Sequence, residues 1–231
     1  MKKRDAVLIS LSLTLSAYAL VTLTVGDGML RGKSVAPGRE LRAAVAIRDD
    51  VTPFQKWGTK MFTWGYLRRY YDVAWHFTQS RENDQEKAFL ASLNTALERY
   101  PQVDVFLLAH DNRYVNWVAT LPPERRQRLR FVYNTGCHNQ PQGPRWITLG
   151  ADVYVGHPGY SLSPFFYYYF LRRWTRSHSI REATEESNRL MERIFKIWER
   201  LSFGRVNAAH LMRESVAAYH GNDQLRLGGL P

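Results

Sequence analysis

Between residues 41 and 174, short and largely apolar runs alternate with segments whose apolar residues recur at helical spacing. This alternation constrains the fold more than any other feature. A strand covered on both faces reads as a continuous apolar run, and two parallel strands need a crossover long enough to hold a helix. The strand-like runs are Leu41 to Ile47, Val73 to Phe77, Val103 to Ala109, Leu129 to Tyr133 and Val153 to Val155. Between them, residues 60–71 and 81–100 have helical periodicity. In the second of these Phe89, Leu93, Leu97 and Tyr100 share a face and Pro101 closes the segment. Pro122-Pro123 introduces a short basic helical turn, and residues 164–174 form an aromatic helix that packs on the sheet. Ser179-Ile180-Arg181-Glu182 has the form of a capping box. A stripe from Leu190 to Leu201 follows it, and a last helix is predicted over 206–219 with Gly221 as its stop. The expected fold class is α/β: a three-layer α/β/α sandwich with a mainly parallel sheet. Its 231 residues suit one such domain behind a short leading segment.

That leading segment is the second constraint. Lys2, Lys3 and Arg4 precede Ala6 to Val25, a stretch without a charged residue. A run of about 20 uncharged residues is long enough for a bilayer-spanning helix, and the cations before it hold the chain start in the cytoplasm. Ala17-Tyr18-Ala19 equally offers a site for signal-peptide cleavage. Either reading exports the rest of the chain, to a membrane-anchored or periplasmic location. The expected organisation is an N-terminal hydrophobic helix, as signal peptide or anchor, over 1–25 and a Gly- and Arg-bearing linker over 26–40. The α/β domain then covers 41–221, and a tail covers 222–231. Net charge is +11, with Arg68-Arg69, Arg125-Arg126 and Arg172-Arg173 clustered. A solvated basic face explains such clusters most simply, and contact with anionic lipid headgroups is the partner they suggest. Nucleic acid is not expected.

The apolar run before His110 and the run before Cys137 each close on a residue able to do base or nucleophile chemistry. A parallel sheet collects reactive groups at the carboxyl ends of its strands, so a thiol and an imidazole there are expected side by side. Cys137 is the chain's one cysteine and forms no intrachain disulfide. A different chemistry remains open: His110, Cys137, His138 and His157 all follow strand-like runs, and three of them could ligate zinc or another transition ion. There is no glycine-rich phosphate loop and no serine elbow, and no cofactor is expected.

The order of these elements resembles the caspase-like cysteine peptidases, a group that includes metacaspases and bacterial CHAT-type domains. The resemblance is carried by Asp104-Val105-Phe106-Leu107-Leu108-Ala109-His110 and by Leu129 through Asn134-Thr135-Gly136-Cys137. It extends to Leu149-Gly150-Ala151-Asp152-Val153-Tyr154-Val155-Gly156-His157 and the helix start near Ser179. It implies a His/Cys dyad acting on a peptide or protein substrate, with Cys137 as nucleophile and His110 as base. Backbone N–H groups near Cys137, around Gly136, and at the residue after the histidine would hold the oxyanion. That residue is Asp111, where most of the family has glycine. A carboxylate there either crowds the substrate or favours an imidazolium–thiolate pair. Three readings follow: an exported cysteine hydrolase, an inactive caspase-like binding domain at the membrane, and a His/Cys metal-binding protein. Asp49, Asp50 and Asp152, expected near strand ends, would favour a basic residue in the substrate.

Overall fold

A computed structural model of the chain describes residues 36–49, 51, 53–109 and 113–228. The apolar stretch Ala6 to Val25 and the linker as far as residue 35 lie outside the described residues. No helix among the described residues is long and apolar enough to cross a membrane.

Six strands form one sheet: β1 (Arg42–Arg48), β2 (Val73–Thr78), β3 (Gln102–Leu108), β4 (Leu129–Asn134), β5 (Val153–Gly156) and β6 (Ala218–Gly221). Their order is β2-β1-β3-β4-β5-β6; the first five run parallel and β6 is antiparallel to β5. Eight described helices surround it: α1 (Pro53–Tyr70), α2 (Glu86–Arg99), α3 (Arg113–Ala119), α4 (Pro123–Arg126), α5 (Gly143–Thr148), α6 (Ser163–Trp174), α7 (Ile180–Leu201) and α8 (Ala208–Ser215). The α/β class and the mainly parallel sheet between helical layers are as the sequence predicts. β1, β3, β4 and β5 are buried along their whole lengths, which is why they read as apolar runs.

The handedness of parallel crossovers explains the layers. Such connections are right-handed almost without exception, so the side a helix takes depends on the direction in which the chain moves across the sheet. From β1 to β2 the chain moves one way, and α1 lies on the first face with Phe62, Tyr66 and Leu67 against Ala44, Ala46 and Phe106. From β2 to β3 it moves the opposite way, and α2 lies on the second face with Phe89 and Leu93 against Val45 and Val105. β4 and β5 continue in that direction, so α3 and α5 join the second face through Val115, Val118 and Trp146. The first face over β3 to β5 would then be bare. α6 and α7 cover it after β5 ends.

This position accounts for the aromatic run. α6 is packed by the sheet beneath, α1 on one side and α7 on the other, and ten of its twelve residues are buried. Phe170 stacks on Phe131 at 5.4 Å, Tyr167 meets Tyr133 at 5.1 Å and Tyr168 meets Phe62 at 5.3 Å. Each such side chain contributes about 1.5–3 kcal/mol of burial. A β-carbon on Gly58 would stand 3.0 Å from Pro164, so α1 and α6 approach through a glycine. At the start of α7 the predicted capping box is present: Ser179 Oγ accepts from Glu182 N–H, and the Glu182 carboxylate accepts from Ser179 N–H.

The last predicted helix is corrected. α8 stops at Ser215, and 218–221 form β6. Val216 leaves the helical region (φ −55, ψ 128). The Asn188 carboxamide then clamps Ala217, accepting from its N–H (2.8 Å) and donating to its carbonyl (2.9 Å).

The amino edge of the sheet carries a buried polar cluster. Arg130 Nε donates to Asp104 Oδ1 (2.8 Å), and Arg130 Nη2 to Asp104 Oδ2. Tyr71 donates its hydroxyl to the same carboxylate (2.5 Å), and Arg130 Nη1 reaches Gln102 Oε1 (2.8 Å). Residues beyond β6 close the cluster: the Leu227 carbonyl accepts from Arg42 (2.9 Å) and Arg130 (3.2 Å). Leu225 and Leu227 are themselves buried. Burial works against the Arg130 cation, yet the Asp104 charge and hydrogen bonds more than offset it and raise the guanidinium pKa. Burial, reinforced by Asp104, holds the Tyr71 phenol well above its ordinary value, so it remains a donor.

Candidate functional site at the carboxyl edge

The strand order reverses between β1 and β3, and in open α/β sheets this is where a crevice opens beyond the carboxyl ends. β3 delivers Leu108 and Ala109 to that edge, and β4, its neighbour, delivers Asn134 and then Thr135-Gly136-Cys137. His110 and Asp111, which follow Ala109 in the chain, lie outside the described residues. The two strand ends touch. A β-carbon on Gly136 would lie 1.8 Å from the Ala109 carbonyl oxygen, so only glycine permits this approach. Thr135 N–H donates to the Leu107 carbonyl (2.9 Å), and Asp49 N–H to the Leu108 carbonyl (2.8 Å).

Two buried asparagines fix the edge. Asn134 Oδ1 accepts from both Ala109 N–H (3.1 Å) and Gly136 N–H (2.9 Å), stapling β3 to β4. Asn139 Nδ2 donates to the Gly136 carbonyl (2.6 Å), while its Oδ1 accepts from His157 N–H (2.9 Å) and its carbonyl from Tyr154 (2.9 Å). The ends of three strands are thereby held by side-chain amides. Neither asparagine was among the sequence-predicted site residues, although an Asn-Thr-Gly turn directly after a strand is the signal that marks the first.

Cys137 is 9% exposed, and its Sγ accepts from Ser161 N–H at 3.4 Å. The thiol therefore lies beneath the loop 157–162 that joins β5 to α6. Among the described residues the Ser161 hydroxyl, buried in that loop, has no hydrogen-bond partner. His138 adopts a left-handed backbone (φ 54), and its N–H is taken by the Gly159 carbonyl (2.9 Å). Gly136 N–H, beside the expected oxyanion position, donates to Asn134 Oδ1. Among the described residues the N–H of Cys137 itself meets no acceptor. It is an unengaged backbone donor beside the thiol.

The remaining candidates separate. His157 is fully buried, with Nδ1 2.8 Å from the Ser215 carbonyl and Nε2 3.4 Å from the Tyr133 hydroxyl. A neutral ring with its proton on Nδ1 satisfies both contacts. Burial pushes its pKa down to about 4, despite the Ser215 hydrogen bond. His138 is exposed, with its ring edge against Tyr160 at 4.9 Å. Among the described residues no three His, Cys, Asp or Glu side chains are grouped to hold a metal ion. Asp49 is at the expected edge, but buried and bonded to the Tyr114 hydroxyl (2.7 Å). Asp152 is corrected: it precedes β5 and so sits at the amino edge, away from Cys137, where burial raises its pKa. Asp50 lies outside the described residues.

Compared with known proteins, the chain matches no protein-family model and no curated relative.

Proposed function

We propose that this chain is an exported, membrane-anchored cysteine hydrolase of caspase-like type, acting on peptide bonds with Cys137 as nucleophile and His110 as base. The observation that carries the reading is the backbone contact of Gly136 with Ala109. Cys137 follows Gly136 in the chain and His110 follows Ala109, and the two glycine- and alanine-bearing ends belong to the neighbouring parallel strands β4 and β3. In the proposed reaction the Cys137 thiolate adds to the substrate carbonyl carbon, and the oxyanion so formed takes a hydrogen bond from Cys137 N–H. The C–N bond breaks as protonated His110 gives its proton to the leaving amine. Water, losing a proton to His110, then displaces the thiol from the acyl-enzyme and regenerates both groups. For substrate to reach the thiol, the part of the loop around Ser161 must move aside, giving up the Ser161 N–H to sulfur contact and loosening the bonds of Gly159 to His138 and Glu214 and of the Tyr160 carbonyl to Ser215.

A second reading is favoured by the 9% exposure of Cys137 and by Asp111: an inactive domain of the same architecture that binds a partner at the membrane. Two measurements on the full chain separate the two. With a fluorogenic peptide library, Cys137→Ala and His110→Ala are each expected to lower cleavage roughly a thousandfold or more. Iodoacetamide at neutral pH is expected to label Cys137 faster than it labels a free thiol. Cleavage that survives Cys137→Ala removes the hydrolase reading, and labelling slower than a free thiol selects the binding domain.

A further inference from the structure

The outward face of α7 changes character along its length. Its first two turns expose Glu182, Glu185 and an Arg181 that is paired with Asp223, whereas its second half exposes Arg193, Lys196, Ile197, Arg200 and Leu201. These five recur at i, i+3, i+4, i+7 and i+8, which places them on one stripe. Ile197 is 47% and Leu201 46% exposed, while Met191, Ile194 and Phe195 fill the core side of the same helix. Immediately past the helix, Phe203 is 90% exposed and sits in the left-handed region (φ 54), with exposed Arg205 beyond it. A bulky side chain is disfavoured in that backbone region, and a phenyl ring is disfavoured in water. Nothing lies within 4 Å of a β-carbon placed on the next residue, Gly204, so the turn stands in open solvent. It is held by its own backbone, with Phe203 N–H on the Arg200 carbonyl (3.1 Å) and Gly204 N–H on the Glu199 carbonyl (2.9 Å). Carboxylates nearby are engaged: Glu199 accepts from Ala208 N–H (3.0 Å), and Glu192 pairs with Lys196 (2.6 Å) in an exposed geometry that is worth little.

We infer that this tip of α7 and its turn is a docking surface for an anionic lipid bilayer. Cations interleaved with an apolar strip fit a surface that is negative at its headgroups and hydrocarbon just beneath, and long basic side chains can meet phosphates while their stems lie along the apolar groups. The inference rests on the membrane-anchored part of the proposed function and is independent of Cys137 chemistry. Residues 26–35, at most about 36 Å when extended, would tether Ala36 near the bilayer and raise the local concentration of the tip at the lipid.

The full chain, reconstituted in phosphatidylcholine vesicles with and without phosphatidylglycerol, tests this by amide hydrogen exchange over residues 192–206. Exchange there is expected to be roughly fivefold slower with the anionic lipid, and the protection to vanish at high salt. The variant R193E/K196E/R200E, altered only at exposed positions, is expected to lose the protection while α6 exchanges as before. Equal exchange in the two vesicles overturns the inference, as does protection that persists in the charge-reversed variant. Whether the chain floats with phosphatidylcholine vesicles at all is a separate reading that bears on the anchor alone. If it does not float, anionic vesicles added to the chain still report on the tip by the same exchange.

Discussion

The two edges of the sheet are built on different physics. At the amino edge, charged groups are buried together: Arg130, Asp104 and Tyr71 share one network that extends to the Leu227 carbonyl. At the carboxyl edge Arg48 and Asp49 are buried at the end of β1, but around Cys137 the buried groups are neutral: asparagine amides, the uncharged His157 ring and a glycine-only backbone contact. One edge is closed by its own charges, whereas the other keeps a thiol and an open N–H beneath a single loop.

The comparison can be broken, most forcefully, at Asp104. Asp104→Ala leaves the Arg130 cation buried without its counter-charge and is expected to cost about 3–5 kcal/mol in urea unfolding. Replacing both partners by apolar residues of similar volume should cost much less. If the single and double changes cost the same, the amino edge is not held as an ion pair.

Gly136→Ala attacks the other edge. A methyl group 1.8 Å from a carbonyl oxygen forces β3 and β4 apart, with an expected cost of about 3 kcal/mol, since the obstacle is backbone rather than a side chain that can turn away. A crystal structure of the variant with an unmoved strand pair would contradict the contact.

The edges should also differ in acid. With a folded pKa of about 4 against about 6.5 in the unfolded chain, His157 is protonated in the unfolded state first as pH falls. Stability is therefore lost between pH 6.5 and about 4 and levels below that, by about 3 kcal/mol. His76, lowered to about 3 by burial and then by Arg48 and Lys60, adds a slope of the same sign. The difference between wild type and His157→Gln in urea midpoint from pH 8 to 4 isolates the His157 part. Parallel pH profiles would refute the neutral buried ring. The smallest effect belongs to Ser179→Ala, which removes one half of the capping box far from Cys137. About 1 kcal/mol of stability is expected to go, with iodoacetamide labelling of Cys137 unchanged.

What the sequence made legible follows from where the information resides. Strands β3 and β4 are local apolar runs, and their ends could be read to within a residue or two. The capping box is a four-residue pattern and was equally visible. β6 was hidden because Val216 to Tyr219 have no local preference that excludes a helix, and the clamp that extends them comes from Asn188, 29 residues away. The stretch 81–85 reads as helix, yet the Gln79 side chain takes the N–H of Gln85 and the Asp84 side chain that of Glu86, so α2 starts only at Glu86. At the candidate site, the residue types were apparent and the supports were not. His157 looks like a ligand in sequence and becomes a core residue only because the end of α8 brings the Ser215 carbonyl to its ring.

The hold of Arg130 on Leu227 spans 97 positions of chain. During synthesis, β4 emerges long before the carbonyl that completes its polar cluster. The nascent domain therefore carries an unfinished, positively charged seam until the segment after β6 has been made, and its final consolidation is a late event rather than a domain-by-domain progression along the growing chain.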